Sequence, residues 1–116
     1  MAKKDDCIFC RIASGEIKSR KLYEDDNFIV IPDANPVSEG HCLIIPRKHY
    51  PTILDLPPSL GTEFISLAKK QGLRLIKEGK ASGFNLVQNN FSSAGQVVKH
   101  VHFHIIPRKD KDGLKI

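Results

Sequence analysis

This sequence has no tryptophan, a single methionine and only two tyrosines, and aromatic residues make up 7% of its 116 positions. No apolar run approaches the length needed to span a bilayer, so a membrane-embedded chain is not expected. The polar opening from Met1 to Asp6 lacks the apolar stretch of a secretory signal, which leaves a cytoplasmic location as the default. Three cysteines are too few for a disulfide scaffold, and a chain of this size does not need one to bury a core. Internal repeats and low-complexity segments are also missing. The net charge of +5 comes from 18 basic against 13 acidic residues, yet the basic residues are scattered, with no tract longer than a pair such as Arg47-Lys48. Without a basic stripe or interleaved aromatics, nucleic acid is an unlikely partner. A phosphate-bearing small molecule suits the same charge balance.

Hydrophobic content of 41% and charged content of 27% are those of an ordinary globular protein, and the length predicts one domain over residues 1–116. A short helix is expected from Cys7 to Ala13, ended by Gly15. Strands are expected at Lys21–Glu24, Phe28–Ile31 and His41–Ile45, the last two stopped by Pro32 and Pro46. One long helix should run from about Ser59 to Glu78, with Leu60, Phe64, Leu67, Ala68, Leu75 and Ile76 on its core face. Phe84–Gln88 reads as another strand, Ser92–Gly95 as a small-residue loop, and residues 108–116 as a charged, loosely ordered tail. Hairpin-like strands around one long helix predict an α+β fold with an antiparallel sheet.

The chemistry is concentrated in His100-Val101-His102-Phe103-His104-Ile105-Ile106. In a strand, alternate side chains share a face, which would put His100, His102 and His104 on one side and Val101, Phe103 and Ile105 in the core. Burying an imidazole is costly unless its nitrogens find partners, so three in a row suggest function. On a regular strand His100 and His104 would stand about 13 Å apart. All three therefore cannot easily share one ion, whose bonds to nitrogen are about 2.0–2.1 Å for zinc. One end of the row could then bind metal or structure while the middle does covalent or acid–base work.

Cys7 and Cys10 form a C-x-x-C pair, a spacing used by metal ligands and by redox couples. His49 follows one strand and His100 begins another. If those ends meet the N-terminal helix, Cys7, Cys10, His49 and His100 make a closed four-ligand zinc set. Cys42, inside Cys42-Leu43-Ile44-Ile45, reads as a small buried hydrophobe.

The pattern His100-x-His102-x-His104 followed by Ile105-Ile106 resembles the signature of the histidine triad (HIT) family of nucleotide hydrolases and transferases. Cys7-Ile8-Phe9-Cys10-Arg11-Ile12, Asp33, His41 through Leu43-Ile44-Ile45-Pro46-Arg47-Lys48-His49, and Gly95-Gln96 resemble further family segments in the family's order. The resemblance implies a HIT-like fold: an antiparallel sheet of about five strands, one long helix and a short N-terminal helix. It implies that His102 attacks the α-phosphorus of a purine nucleotide and forms a nucleotidyl-histidine intermediate. His104 would hold the phosphate or pass protons, and His41 would orient the row. His100 is counted with the catalytic set.

By the same resemblance, Asp33 would hold the ribose, and Ile8, Phe9, Ile12, Ile31 and Leu43 would wall the base. Asn89, Gly95 and Gln96 would face the phosphates. Val97 stands where many members carry a hydroxyl that helps the leaving group depart. Some members bind structural zinc through residues matching Cys7, Cys10, His49 and His100, with no metal needed for bond cleavage. A homodimer is implied, with the long helix and the Phe84–Gln88 strand as contacts.

Overall fold

The computed structural model describes residues 6–116; most of the polar opening lies outside the described residues. The order of elements is helix α1 (Ile8–Ala13), strands β1 (Tyr23–Glu24), β2 (Phe28–Pro32) and β3 (Cys42–Pro46), helix α2 (Gly61–Lys77), and strands β4 (Gly83–Val87) and β5 (Phe103–Arg108). The five strands form one antiparallel sheet in the order β1-β2-β3-β5-β4. This is the expected α+β architecture.

Alternation along the strands feeds two separate cores. Phe28, Val30, Cys42, Ile44, Phe103 and Ile105 face one side, together with Val101, and are covered by Leu67, Ala68 and Leu75 of α2. Ile29, Ile31, Leu43 and Ile45 face the other side and are covered by Phe9, Cys10, Ile12 and Ala13 of α1. The period of two thus assigns each strand residue to a helix. Gly72 lets α2 approach the sheet, because a Cβ there would lie 2.4 Å from the Phe84 ring. Ile76, expected in the core, is instead exposed, since α2 turns its Gln71-Gly72-Leu75 face inward.

Local chemistry explains the connections. Asp25 Oδ1 accepts from the backbone N–H groups of Asn27 and Phe28, closing the β1–β2 turn. Arg47 Nη2 donates to the carbonyl of Ala13, satisfying an end of α1 that has no helical partner and tying that helix to the loop after β3. Beyond β5, Asp112 accepts from Arg108 Nε, Lys109 N and Leu114 N, and Arg108 Nη2 donates to Leu114 O. The tail expected to be loose is tied down through residue 114, because one carboxylate collects both side-chain and backbone donors.

The histidine row departs most from expectation. Strand β5 starts only at Phe103, so His100 and His102 precede it. The His100 N–H donates to the Val98 carbonyl at 2.9 Å, a three-residue turn that swings the His100 ring away from its neighbours. The regular alternation therefore ends above His102, and the row divides.

Candidate active site and metal centre

His102 and His104 line a cleft of about 570 Å³ between α1, the ends of β2 and β3, and the loop before β5. Ile8, Phe9 and Ile12 of α1, with Ile31 and Leu43 of the sheet, give it an apolar end; Asp33, Asn89, Gly95 and Val97 also line it. Gly95 has φ +90°, a left-handed conformation that suits glycine and turns the loop toward the histidines.

Tautomers follow from the hydrogen-bond network. His102 Nδ1 lies 2.7 Å from the His100 carbonyl oxygen. A carbonyl only accepts, so Nδ1 carries the proton and Nε2 keeps its lone pair. His41 Nδ1 accepts from the Val37 N–H at 3.1 Å, so the proton of neutral His41 is on Nε2. That nitrogen lies 2.9 Å from His104 Nδ1. His104 Nδ1 therefore accepts, and its own proton sits on Nε2. Asp33 Oδ2 is 3.4 Å from His41 Nε2 and 3.7 Å from His104 Nδ1, while Oδ1 accepts from the Asn35 N–H. One ring thus ends in a lone pair and its neighbour in a proton donor.

Burial disfavours the charged forms of His41 and His104. Desolvation, reinforced by neighbouring His102 and His41, pushes His104 from 6.5 down to about 4, against an opposing pull from Asp33. His41 is lowered by burial and partly restored by Asp33. A histidine held neutral in the fold but free to protonate when unfolded makes the unfolded state bind more protons between those values. Stability should therefore fall as pH drops from about 6.5 to 4, by on the order of 3 kcal/mol for a displacement of this size. His104→Gln should show a shallower loss over that range in denaturant titrations. Equal slopes for the two proteins would contradict the assignment.

Gln96 is placed differently from expectation. Its side chain is buried away from the cleft. Oε1 accepts from the Phe91 N–H at 2.7 Å, and Nε2 donates to the carbonyls of Pro51 and Val98 at 2.6 and 3.1 Å. It clamps the loop rather than presenting its amide to a phosphate, and Phe91 holds its positive φ of +70° within that clamp. Val97 is 89% exposed at the cleft's mouth. Val98, Ser19 and Asn35 also line the cleft. Nothing in their residue types marked them, and the carbonyls of His100 and Pro46 carry no side-chain signal at all.

The other end of the row joins a second site. Cys7, Cys10, His49 and His100 are all buried, with one donor atom of each gathered within 4.8 Å. His100 Nδ1 lies 3.3 Å from Cys7 Sγ, 3.6 Å from Cys10 Sγ and 3.2 Å from His49 Nδ1, and Cys10 Sγ is 3.4 Å from His49 Nδ1. Donors at the corners of a tetrahedron around zinc would be separated by about 3.3 Å for two nitrogens and about 3.6 Å for nitrogen and sulfur, from the usual bond lengths. The set therefore fits a four-coordinate ion. His100 Nε2 lies 2.7 Å from the Pro46 carbonyl, which places the proton there and leaves Nδ1 free to ligate. Two thiols and two imidazoles, all on buried residues, are a donor set for a soft or borderline cation.

The HIT domain profile matches residues 14–111. The chain belongs to the HIT family. The adenylylsulfatase HINT3 of Arabidopsis thaliana is 47% identical to this HIT chain over 111 residues, covering 96% of the chain but only 56% of that protein. The adenosine 5′-monophosphoramidase HNT1 of Saccharomyces cerevisiae is 44% identical over 109 residues, 93% of this chain and 66% of its own length. Among solved structures, a zinc-bound histidine triad family protein from Mycobacterium smegmatis superposes with a TM-score of 0.89 at 33% identity, covering 96% of this chain and 81% of its own. The fold of this HIT protein is thereby that of its family. No helix among the described residues is long and apolar enough to cross a membrane.

Proposed function

We propose that this HIT protein is a nucleotide hydrolase that cleaves at the α-phosphorus of a purine nucleoside phosphoramidate, an acyl or sulfuryl adenylate, or a dinucleoside polyphosphate. The observation that carries this reading is the His102 Nδ1 proton held on the His100 carbonyl, which leaves an unprotonated Nε2 in the cleft. That lone pair attacks phosphorus; a P–N bond forms while the bond to the leaving group breaks and its electron pair departs with that group. Water then cleaves the P–N bond and releases the nucleoside monophosphate, so one displacement becomes two. His104 Nε2–H donates to a phosphate oxygen as charge builds there, held in that tautomer by His41. Asp33 accepts from the ribose hydroxyls, the apolar end takes the base, and Asn89 and the backbone around Gly95 face the phosphate. The names of the two curated relatives, both acting on adenylyl compounds, support the substrate class. Rapid quench of a radiolabelled adenylyl substrate should trap an acid-labile adduct on the His102 peptide; burst kinetics without any adduct would rule the route out.

Val97 bears on the leaving group. A sulfate or carboxylate leaves as a stable anion, whereas an amine needs a proton, and valine cannot relay one. Val97→Ser is expected to raise kcat/KM for adenosine phosphoramidate by about tenfold and to change it little for adenylyl sulfate. Equal effects on both substrates would remove Val97 from leaving-group selection.

Cys7, Cys10, His49 and His100 would hold structural zinc in this reading, supported by the donor spacing and by the zinc-bound relative. Bound there, the ion would supply a cross-link between α1, the segment after β3 and the loop before β5. The chain is also read as a homodimer. Strand β4 is a sheet edge, and Phe84 and Leu86 on it stand exposed near Leu73 and Ile76 of α2, an apolar surface that a second copy would cover. Sedimentation should give twice the chain mass, and Leu73→Glu should halve it. A monomer at micromolar concentration would refute the dimer.

A further inference from the structure

One residue belongs to both sites. His100 directs its ring into the cysteine cluster, while its carbonyl oxygen holds the Nδ1 proton of His102 at 2.7 Å. Phe9, carried by α1 between the two cysteines, meets both rings edge-on, with centroids 5.8 Å from His100 and 5.1 Å from His102. We propose that the loaded cluster controls catalysis: it fixes the tautomer and aim of His102 through the His100 carbonyl and through Phe9, which acts as a positioning residue. The inference rests on the reading of His102 as nucleophile.

Besides the cluster, α1 is held by packing of Phe9, Cys10, Ile12 and Ala13 on the sheet and by Arg47 at its far end. It has six residues, too few to be stable alone, and its N-cap is Cys7 itself, whose sulfur accepts from the Cys10 N–H at 3.4 Å. Without a cation, two Nδ1 atoms 3.2 Å apart face two sulfurs with no positive charge to organise the four. Relaxation of that arrangement moves Cys7 and Cys10, and Phe9 between them leaves the edge of His102. The His100 peptide itself stays held, because the Val101 N–H donates to the Tyr50 carbonyl at 2.6 Å; the His102 ring, no longer backed by Phe9, swings off the His100 carbonyl instead.

Released from its acceptor, an imidazole favours the proton on Nε2, the atom that must attack. The lone pair is then turned away from the reacting phosphorus. Nucleotide affinity should suffer less than the rate. Asp33, Ile31 and Leu43 sit on or beside the sheet, whose ladder does not involve α1, even though Ile8 and Phe9 belong to the cleft wall. Metal release would thus silence the enzyme while it can still bind nucleotide.

The test uses the full chain, uniformly labelled with nitrogen-15, loaded with zinc or stripped by chelation and shown to stay folded by circular dichroism. Ring nitrogen spectra, assigned with His102→Gln, should show Nδ1 protonated in the loaded protein and a reversed or averaged tautomer in the stripped one. Single-turnover rates should fall about tenfold to a hundredfold on stripping, the scale expected of a misaimed catalytic group, with the Kd for adenosine monophosphate moving less than about fivefold. Phe9→Leu with its zinc retained should show the same pattern more weakly, and Phe9→Met should recover part of it.

A stripped, folded protein with an unchanged His102 tautomer and rate overturns the proposal. If stripping unfolds the chain, an unchanged tautomer and rate in Phe9→Leu overturn it instead. Should His102 prove not to be the nucleophile, the rates lose their meaning but the ring spectra still decide the coupling, so the two failures are distinguishable.

Discussion

His102→Ala is expected to lower kcat on any adenylyl substrate by on the order of 10⁴-fold, with the Kd for adenosine monophosphate changed by less than about threefold. The asymmetry follows from where binding and chemistry reside. The apolar end of the cleft and Asp33 are untouched by the change, whereas in the proposed route the Nε2 lone pair forms the new bond to phosphorus. Alanine leaves a small gap beside Phe9, costing some packing but no buried charge. Residual turnover would come from water attacking a phosphate still held by His104. Turnover at the wild-type rate would end the covalent proposal. An equal fall in rate and affinity would instead point to a role for His102 in binding.

Loss of the metal centre should have the largest effect on stability. Cys10→Ser, or zinc removal from the native chain, is expected to lower Tm by about 10–20 °C, equivalent to several kcal/mol for a domain of this size. Four residues of α1 cover the β2–β3 part of one sheet face, where Ile29, Ile31, Leu43 and Ile45 rely on Phe9, Cys10, Ile12 and Ala13 for shielding. In the proposed reading a zinc cross-link through Cys7 and Cys10 would hold that cover in place. Arg47 on the Ala13 carbonyl is the other tie and cannot replace it, being one hydrogen bond at the far end of the helix. Calorimetry of loaded and chelated protein measures the difference directly. Identical melting curves would show that burial alone holds α1.

These two expectations draw on different levels of information. Strand residues separated into two faces, the prolines at the ends of β2 and β3, and the long apolar-striped helix can all be read along the chain, because side-chain period and backbone restriction are local properties. The four candidate metal ligands were likewise legible as types at a spacing. Ile76 was not, since a stripe wide enough for either of two faces leaves the rotation of the helix to its partner, and Gly72 against Phe84 settled it. The family resemblance sets Gln96 toward the phosphates, whereas the Phe91, Pro51 and Val98 backbone groups that capture it come from two different loops.

By itself, then, the sequence determined which residues could do chemistry, and the two-residue and 3.6-residue periods that make this an α+β fold. Only the tertiary structure decided where the histidine rings point. The turn at Val98–His100 breaks the strand, sends one ring to the cysteines and aims the other at the cleft. Tautomers were settled there too, because a proton's place on an imidazole depends on which carbonyl or amide lies opposite, and those groups come from chain segments distant in sequence.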